Sequence, residues 1–398
     1  MRVIGLMSGT SYDGIDAAAA DLTREGDALV LSPLGSLTCH YGEELRALLA
    51  AALPPSPTSL YDVCRLDTLI GRSFAGTAER AVRELCGGEA DLVVSHGQTV
   101  YHWAEGGRVH GTLQLGEAAW IAEGTGLPVV SGLRTRDVAA GGQGAPLVSA
   151  VDLLWLRGRP GTPVALNLGG IANLTVPHAD TPLAFDTGPA NALMDAAVVR
   201  LTGGERHFDR DGALAAAGQV HEPLLRTLLA DPYYALPAPK TTGKELFHPG
   251  YLRDALASLG EDAEKISAED LLATLVRLTA VTAADAIRGA GATEVIASGG
   301  GTRNPALLAA LRAELGAGVP VRLSDELGLP SAAKEPFAFA VLGYLTAHAL
   351  PGTVPACTGA RHASVLGSLT PGAYGFPRVP PEAQAAPAIE RLRVHAPA

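Results

Sequence analysis

The sequence predicts an α/β protein of two domains built on one plan, and three observations carry that prediction. Residues Arg2 to Leu22 read RVIGLMSGTSYDGIDAAAADL and residues Pro163 to Thr175 read PVALNLGGIANLT. Each is an apolar strand, a turn of glycine and hydroxyl residues, and a second apolar run, the two copies lying about 160 residues apart. A third glycine turn follows at Ser298-Gly299-Gly300-Gly301-Thr302. Turns of this kind leave backbone N–H groups unshielded by Cβ atoms, so phosphate oxygens can approach them. A chain of 398 residues is also too long for one compact core. The expectation is a nucleotide gripped between two halves.

The elements follow in order. Val3 to Met7 and Gly14 to Leu22 alternate as strands around the Asp13-Gly14 turn, and Leu34 to Cys39 extends the same sheet. Glu43 to Leu53 and Leu60 to Leu85 have helical periodicity, the second closed by Gly87-Gly88. Asp91 to Ser95 is a short buried strand entering His96-Gly97-Gln98-Thr99; strands at Gly111 to Leu115 and Leu127 to Ser131 flank a helix at Glu117 to Glu123. The glycine-rich stretch Ala139 to Ala145 marks the end of the first domain. The second half repeats the plan with strands at Val164 to Leu168, Ile171 to Val176 and Leu183 to Phe185, then a helix at Asn191 to Leu201. Leu214 to Leu229 reads as one helix, Asp231 to Pro249 as a proline-bearing loop, and Ala268 to Arg288 as a long helix. Glu294 to Ala297 is a strand and Pro305 to Leu315 a helix with proline at its start. Lys334 to His348 is a last long helix returning to the first domain, and the proline- and alanine-rich tail from Pro371 is expected to be poorly ordered.

Composition narrows the function. Thirty basic against 41 acidic residues give a net charge of −11 with no basic run, which argues against nucleic acid or an anionic membrane as partner. No apolar run reaches the length of a membrane span. The first apolar stretch already holds Ser8, Thr10 and Asp13 and reads as a strand and turn, not an export signal, so a cytoplasmic location is expected. Cys39, Cys64, Cys86 and Cys357 are scattered without a CxxC pair and read as reduced structural thiols.

Several residues carry candidate chemistry. The turn from Met7 to Gly14 offers hydroxyls, amides and a carboxylate together; Asp-Gly also suits an ordinary hairpin, and the second turn tips the reading to a phosphate clamp. Asp13 or Asp16 would then hold Mg²⁺ directly or through water. Gly169, Gly170 and Asn173 form the second clamp, and Gly299, Gly300 and Gly301 precede a helix where an adenosine or α-phosphate can rest. Asp186 ends an apolar strand before Thr187-Gly188-Pro189 and is the candidate general base, with a cap for the helix near Asn191 as the plainer reading. His96, Gln98 and Thr99 are placed to hydrogen-bond a polar substrate, while the spacing of His96, His102 and His110 fits no common zinc site. Thr241-Thr242-Gly243-Lys244 fails as a P-loop because Glu245 follows and Ala238 stands where a glycine is needed.

With those residues in view, the chain resembles the anhydro-N-acetylmuramic acid kinase family, within the actin-like, sugar kinase and heat-shock 70 ATPase superfamily. GLMSGTSYDGIDAA, SHGQTVYH, QLGE, NLGGIANLT, FDTGPANALMD, KTTGKELF and SGGGTRNPALL occur in the family's order. Tyr12 stands where leucine or methionine is usual, and Ala190 where glycine is expected. The resemblance implies a two-lobed actin-like (ribonuclease H-like) α/β fold with a nucleotide cleft between the lobes. It implies a first lobe of residues 1–132 completed by about 346–370, a second lobe of 133–345 and a tail of 371–398. ATP and Mg²⁺ would serve conversion of 1,6-anhydro-N-acetylmuramic acid and water to N-acetylmuramic acid 6-phosphate, in peptidoglycan recycling. Asp186 matches the base that activates water. The nucleotide segment would comprise Gly9, Thr10, Ser11, Tyr12, Asp13, Gly14, Ile15 and Asp16, joined by Gly169, Gly170, Asn173, Gly299, Gly300 and Gly301. The sugar would meet His96, Gln98, Thr99, Asp186, Gly188, Asn191 and Glu335. A homodimer is compatible with the resemblance; a simple hexose or amino-sugar kinase and an ATP-driven switch are the alternatives.

Overall fold

The computed structural model describes residues 1–9, 12–54, 56–178, 181–243, 246–379 and 388–395. The chain divides into two compact units. One comprises Met1–Arg157, Leu327–Leu329 and Ala333–Ala398, the other Gly158–Glu326 and Pro330–Ala332.

The first unit opens with β1 (Arg2–Ser8), β2 (Gly14–Glu25) and β3 (Ala28–His40), then α1 (Glu43–Ala52) and α2 (Leu60–Leu85). It continues with β4 (Leu92–Glu105), β5 (Arg108–Leu115), α3 (Ala118–Thr125), β6 (Val129–Ser131), α4 (Leu133–Ala139) and α5 (Val148–Leu156). The second unit holds β7 (Pro163–Leu168), β8 (Ile171–Val176), β9 (Leu183–Pro189), α6 (Asn191–Leu201), α7 (Ala213–Ala217), α8 (Glu222–Leu229) and α9 (Pro249–Ala257). It ends with α10 (Ala268–Gly289), β10 (Glu294–Ser298), α11 (Pro305–Leu315) and β11 (Val321–Leu323). The chain returns to the first unit as α12 (Lys334–Ala347), α13 (Pro355–Thr358), β12 (Ser368–Thr370) and β13 (Arg391–Val394).

The two sheets share a topology. In the second unit the order is β11-β10-β7-β8-β9, with β8 antiparallel to its neighbours and β10 parallel to both of its own. The first unit repeats it as β6-β4-β1-β2-β3, again with only the second strand reversed. This is the strand order expected of a ribonuclease H-like fold, present twice. Short hairpins make the antiparallel pairs, and helical crossovers make the parallel ones.

One long helix anchors each unit. Ser267 caps α10 by accepting from Asp270 N–H at 3.0 Å, and the helix buries leucines and alanines against β8 and β9. Residues Pro336 to Thr346 of α12 are buried throughout, and α12 lies so close to β1 that a Cβ at Gly5 would run into Pro336 O.

Three expectations change. The first unit extends to Arg157 and reclaims the chain at Ala333, because Asp152 on α5 pairs with Lys334 at the head of α12. Leu214 to Leu229 is two helices; a Cβ at Gly218 would strike the Glu269 backbone, and the chain turns there. The tail expected to be poorly ordered contains β13, which pairs parallel to β3 and buries Leu392.

Candidate active site

In the first unit β1 and β2 are joined by the hydroxyl- and glycine-rich turn, of which Thr10 and Ser11 lie outside the described residues. Tyr12 closes the turn with φ at 44° and its N–H on Gly9 O at 3.2 Å. Ser8 is buried, with Oγ 2.8 Å from Gly14 O and 2.6 Å from Gln98 Oε1; its one proton serves either acceptor. Gln98 in turn donates from Nε2 to Gly9 O at 3.1 Å. The β4 residue expected at the sugar thus props the turn expected at the nucleotide. A Cβ at Gly14 would lie 2.6 Å from Cys39 O, so glycine is needed there for strand approach. Ile15 is buried in the core, leaving its backbone as the part able to meet a ligand.

Asp13 is exposed at the mouth of β2, and Asp16 is half-buried with Oδ1 accepting from Thr38 Oγ1 at 2.6 Å. Among the described residues no three acidic, histidine or cysteine side chains gather as a metal cage. That donor set fits Mg²⁺, which kinases hold through one or two carboxylates and the substrate's phosphates.

His96 sits at a bulge where Gly97 adopts φ of 75° and passes too close to Leu115 O for any Cβ. Its Nδ1 lies 2.8 Å from Gly97 O, and its Nε2 accepts from Arg134 Nε at 2.8 Å. Arg134 cannot be an acceptor, so His96 carries its proton on Nδ1. Burial, then the neighbouring guanidinium, pushes its pKa down to about 3. Both ring nitrogens are therefore engaged inside the protein, and the hydrogen bond expected from His96 to substrate is replaced by one to Arg134. Thr99 accepts from Gln114 Nε2 at 3.2 Å and is half-buried.

Glu335 stands in the first turn of α12, half-buried. Burial raises its pKa, Arg134 and Lys334 oppose the rise, and Asp16 adds to it, so Glu335 shares the field of both Arg134 and Asp16.

In the second unit three segments converge. The β7–β8 turn gives its carbonyls to the start of α6: Asn191 N–H donates to Gly169 O at 3.0 Å and Ala190 N–H to Gly170 O at 2.9 Å. Asn191 Nδ2 reaches Leu168 O at 3.4 Å. The glycine turn after β10 packs on the same spot. A Cβ at Gly299, whose φ is 90°, would lie 2.6 Å from Asn167 Oδ1, and one at Gly301 would lie 2.8 Å from Leu168 Cβ. A Cβ at Gly169 would meet nothing nearer than 3.5 Å, and one at Gly300 only Asn191 Nδ2 at 3.8 Å. Gly299 and Gly301 thus hold the two turns together, while at Gly169 and Gly300 the protein leaves room for a side chain.

Asp186 lies within β9, opposite Asn173 on β8, rather than at the strand's end. A segment over 50 positions downstream in sequence holds it. Its Oδ2 accepts from Thr242 N–H at 2.9 Å and from Thr241 Oγ1 at 2.8 Å, and its own N–H donates to Lys240 O at 2.9 Å. Tyr233 OH donates to its carbonyl at 2.7 Å, and Lys240 Nζ spans Tyr233 O and Tyr234 O. Gly188, with φ of 150°, keeps Tyr234 close: a Cβ would lie 2.9 Å from its ring. Ala190, where glycine is expected, has φ of −114°, outside the positive range that favours glycine. The lysine-threonine run rejected above as a P-loop is the support of the candidate base; Lys244 and Glu245 lie outside the described residues.

Comparison with known proteins decides the family. The sequence model of anhydro-N-acetylmuramic acid kinase matches residues 1–372. The chain belongs to the anhydro-N-acetylmuramic acid kinase family. The anhydro-N-acetylmuramic acid kinase of Streptomyces avermitilis is 70% identical over 387 residues, covering 97% of this chain and 98% of that protein. The kinase of the same name from Rhodococcus erythropolis is 61% identical over 95% of this chain and 96% of its own. That from Streptomyces coelicolor is 61% identical over 98% and 99%. The family match ends before β13, which lies beyond its last residue. Membership makes the chain an ATP-dependent sugar kinase. Among the described residues no helix is long and apolar enough to cross a membrane.

Proposed function

We propose that this kinase converts 1,6-anhydro-N-acetylmuramic acid, water and ATP into N-acetylmuramic acid 6-phosphate and ADP, acting in the cytoplasm in the recycling of cell-wall sugar. The observation that carries the reading is Asp186, a carboxylate held at fixed orientation by Thr241 and Thr242 inside a family match over residues 1–372. Asp186 takes a proton from water as the water oxygen bonds to C1 of the sugar. The C1–O6 bond breaks, and O6 attacks the γ-phosphorus while the bond to the β–γ bridging oxygen breaks. The proton passes from Asp186 to solvent. Phosphoryl transfer asks the protein for alignment and charge neutralisation more than covalent chemistry.

In the first unit the described backbone of the β1–β2 turn, and in the second the backbone at Gly169 and Gly300, are the parts offered to the nucleotide, and Asp13 and Asp16 are the carboxylates that would hold Mg²⁺. Mg²⁺ supplies charge neutralisation there. Gln98 fixes the first of these turns from β4 and His96 fixes Arg134, so on this reading both act at one remove from the ligands. Thr99 and Glu335 in the first unit, and Gly188 and Asn191 in the second, are the remaining candidates for sugar contact.

ADP release measured with the anhydro sugar, with free N-acetylmuramic acid and with no sugar tests the reading. Turnover with the anhydro sugar alone is expected. Equal turnover with the free sugar makes the chain a simple amino-sugar kinase, and sugar-independent turnover makes it an ATP-driven switch.

A further inference from the structure

Arg134 is held but not neutralised. Its Nε donates to His96 and its Nη1 donates to Gly144 O at 2.7 Å. Among the described residues no carboxylate lies within ion-pairing distance of it. The nearest acids are accounted for. Asp137 is fully buried, with Oδ2 accepting from Gly144 N–H at 2.7 Å and Oδ1 from Thr358 Oγ1 at 2.7 Å. Glu335 acts on Arg134 through the field but makes no ion pair with it. Nη2 makes no hydrogen bond and is not sealed from solvent.

The surroundings work to keep this guanidinium in place. His96 is fixed as the Nδ1–H tautomer by Gly97 O, so Nε2 always presents a lone pair to Arg134 Nε. Phe339 packs on the imidazole at a ring separation of 4.7 Å and stops it turning. Burial of an unpaired guanidinium is costly, and it is retained most simply where an anion completes it. Its planar fork suits a carboxylate.

We infer that Arg134 binds the carboxylate of the sugar substrate through Nη2, and so decides between sugars with and without that group. This rests on the reading above, in which the substrate is a muramic acid: an N-acetylglucosamine skeleton bearing a lactyl ether that ends in a carboxylate. Arg134 is then the residue that separates the muramic from the glucosamine series.

The test measures kcat/KM by ADP release for 1,6-anhydro-N-acetylmuramic acid and 1,6-anhydro-N-acetylglucosamine, in the wild type, Arg134→Gln and Arg134→Lys. The wild type is expected to favour the carboxylate sugar by on the order of 10²-fold. Arg134→Gln should lose about that factor on the carboxylate sugar and less than about threefold on the other, with KM for ATP unchanged; Arg134→Lys should fall between. A second measurement needs no variant: wild-type KM for the carboxylate sugar should rise with ionic strength, and KM for the neutral sugar should not. Equal losses on both sugars in Arg134→Gln, or equal salt dependence in the wild type, overturn the assignment. A wild type idle with the muramic sugar but active with another overturns the function on which it rests.

Discussion

Thr242 donates its backbone N–H to Asp186 Oδ2 at 2.9 Å, and the hydroxyl of Thr241 reaches the same oxygen at 2.8 Å. Two donors on one oxygen stabilise the carboxylate and fix its plane, so a loop 55 residues away sets the direction of the candidate base. Asp186→Asn keeps the shape and removes the basicity. Turnover is expected to fall by at least about 10²-fold with ATP binding kept. Thr241→Val should cost about tenfold in kcat, since it removes one hydrogen bond to a charged group. Normal turnover in purified Asp186→Asn, measured as ADP release, removes Asp186 from the role.

The glycines of the second unit separate into two kinds. Gly169→Ala adds a methyl that meets only ordinary contacts, so the melting temperature should stay within about 2 °C of wild type. Its affinity for ATP, read by calorimetry, should nonetheless fall, because the methyl covers backbone offered to a phosphate. Gly299→Ala meets Asn167 and Leu168 below van der Waals distance at a positive φ, and should destabilise by about 2 kcal/mol or more. Unchanged ATP affinity in Gly169→Ala would make that turn purely structural.

The sequence disclosed most where local signals suffice. Helices α2, α6 and α11 begin and end at the residues expected, each with a cap, a glycine or a proline at a boundary. β4 was legible only through Ser95, because its continuation carries the buried polar residues His96 and Gln98 and then an exposed ribbon from Tyr101 to Glu105 held by pairing with β5, not by an apolar run. β13 is four residues in a proline- and alanine-rich stretch and acquires its partner from β3, over 350 positions earlier. The candidate base was legible as a carboxylate before a glycine turn, yet its support from Thr241 and Thr242 was not, since no local rule links those positions. Arg134 was missed for the same reason: its meaning lies in His96 and Gly144, which only folding brings to it.

Lys334 and Asp152 form an ion pair at 2.7 Å with both side chains 5% exposed. Lys334 opens α12, where the helix dipole disfavours a cation, so the carboxylate from α5 is what makes the position tenable. Asp152→Asn strands the buried ammonium and should destabilise the first unit by about 3–5 kcal/mol in urea unfolding. Replacing both, as Asp152→Leu with Lys334→Met, should recover most of the loss. A double variant as unstable as Asp152→Asn would show that packing against Trp155 and Leu392, not charge, dominates this corner.

His96 gives the protein an acid-sensitive point whose sign follows from its depressed pKa of about 3. The unfolded chain binds a proton at this histidine near its ordinary pKa of about 6.5, while the folded chain does so only near 3. The contribution is therefore full above 6.5 and is lost as pH falls from 6.5 toward 3, because protons favour the unfolded state throughout that window. Between pH 7 and pH 5 the wild type should lose about 2 kcal/mol that His96→Gln does not lose. Urea unfolding of both proteins at the two pH values checks this. Parallel acid limbs would mean that His96 takes up its proton in the folded state, and that the Nδ1–H tautomer facing Arg134 is not locked.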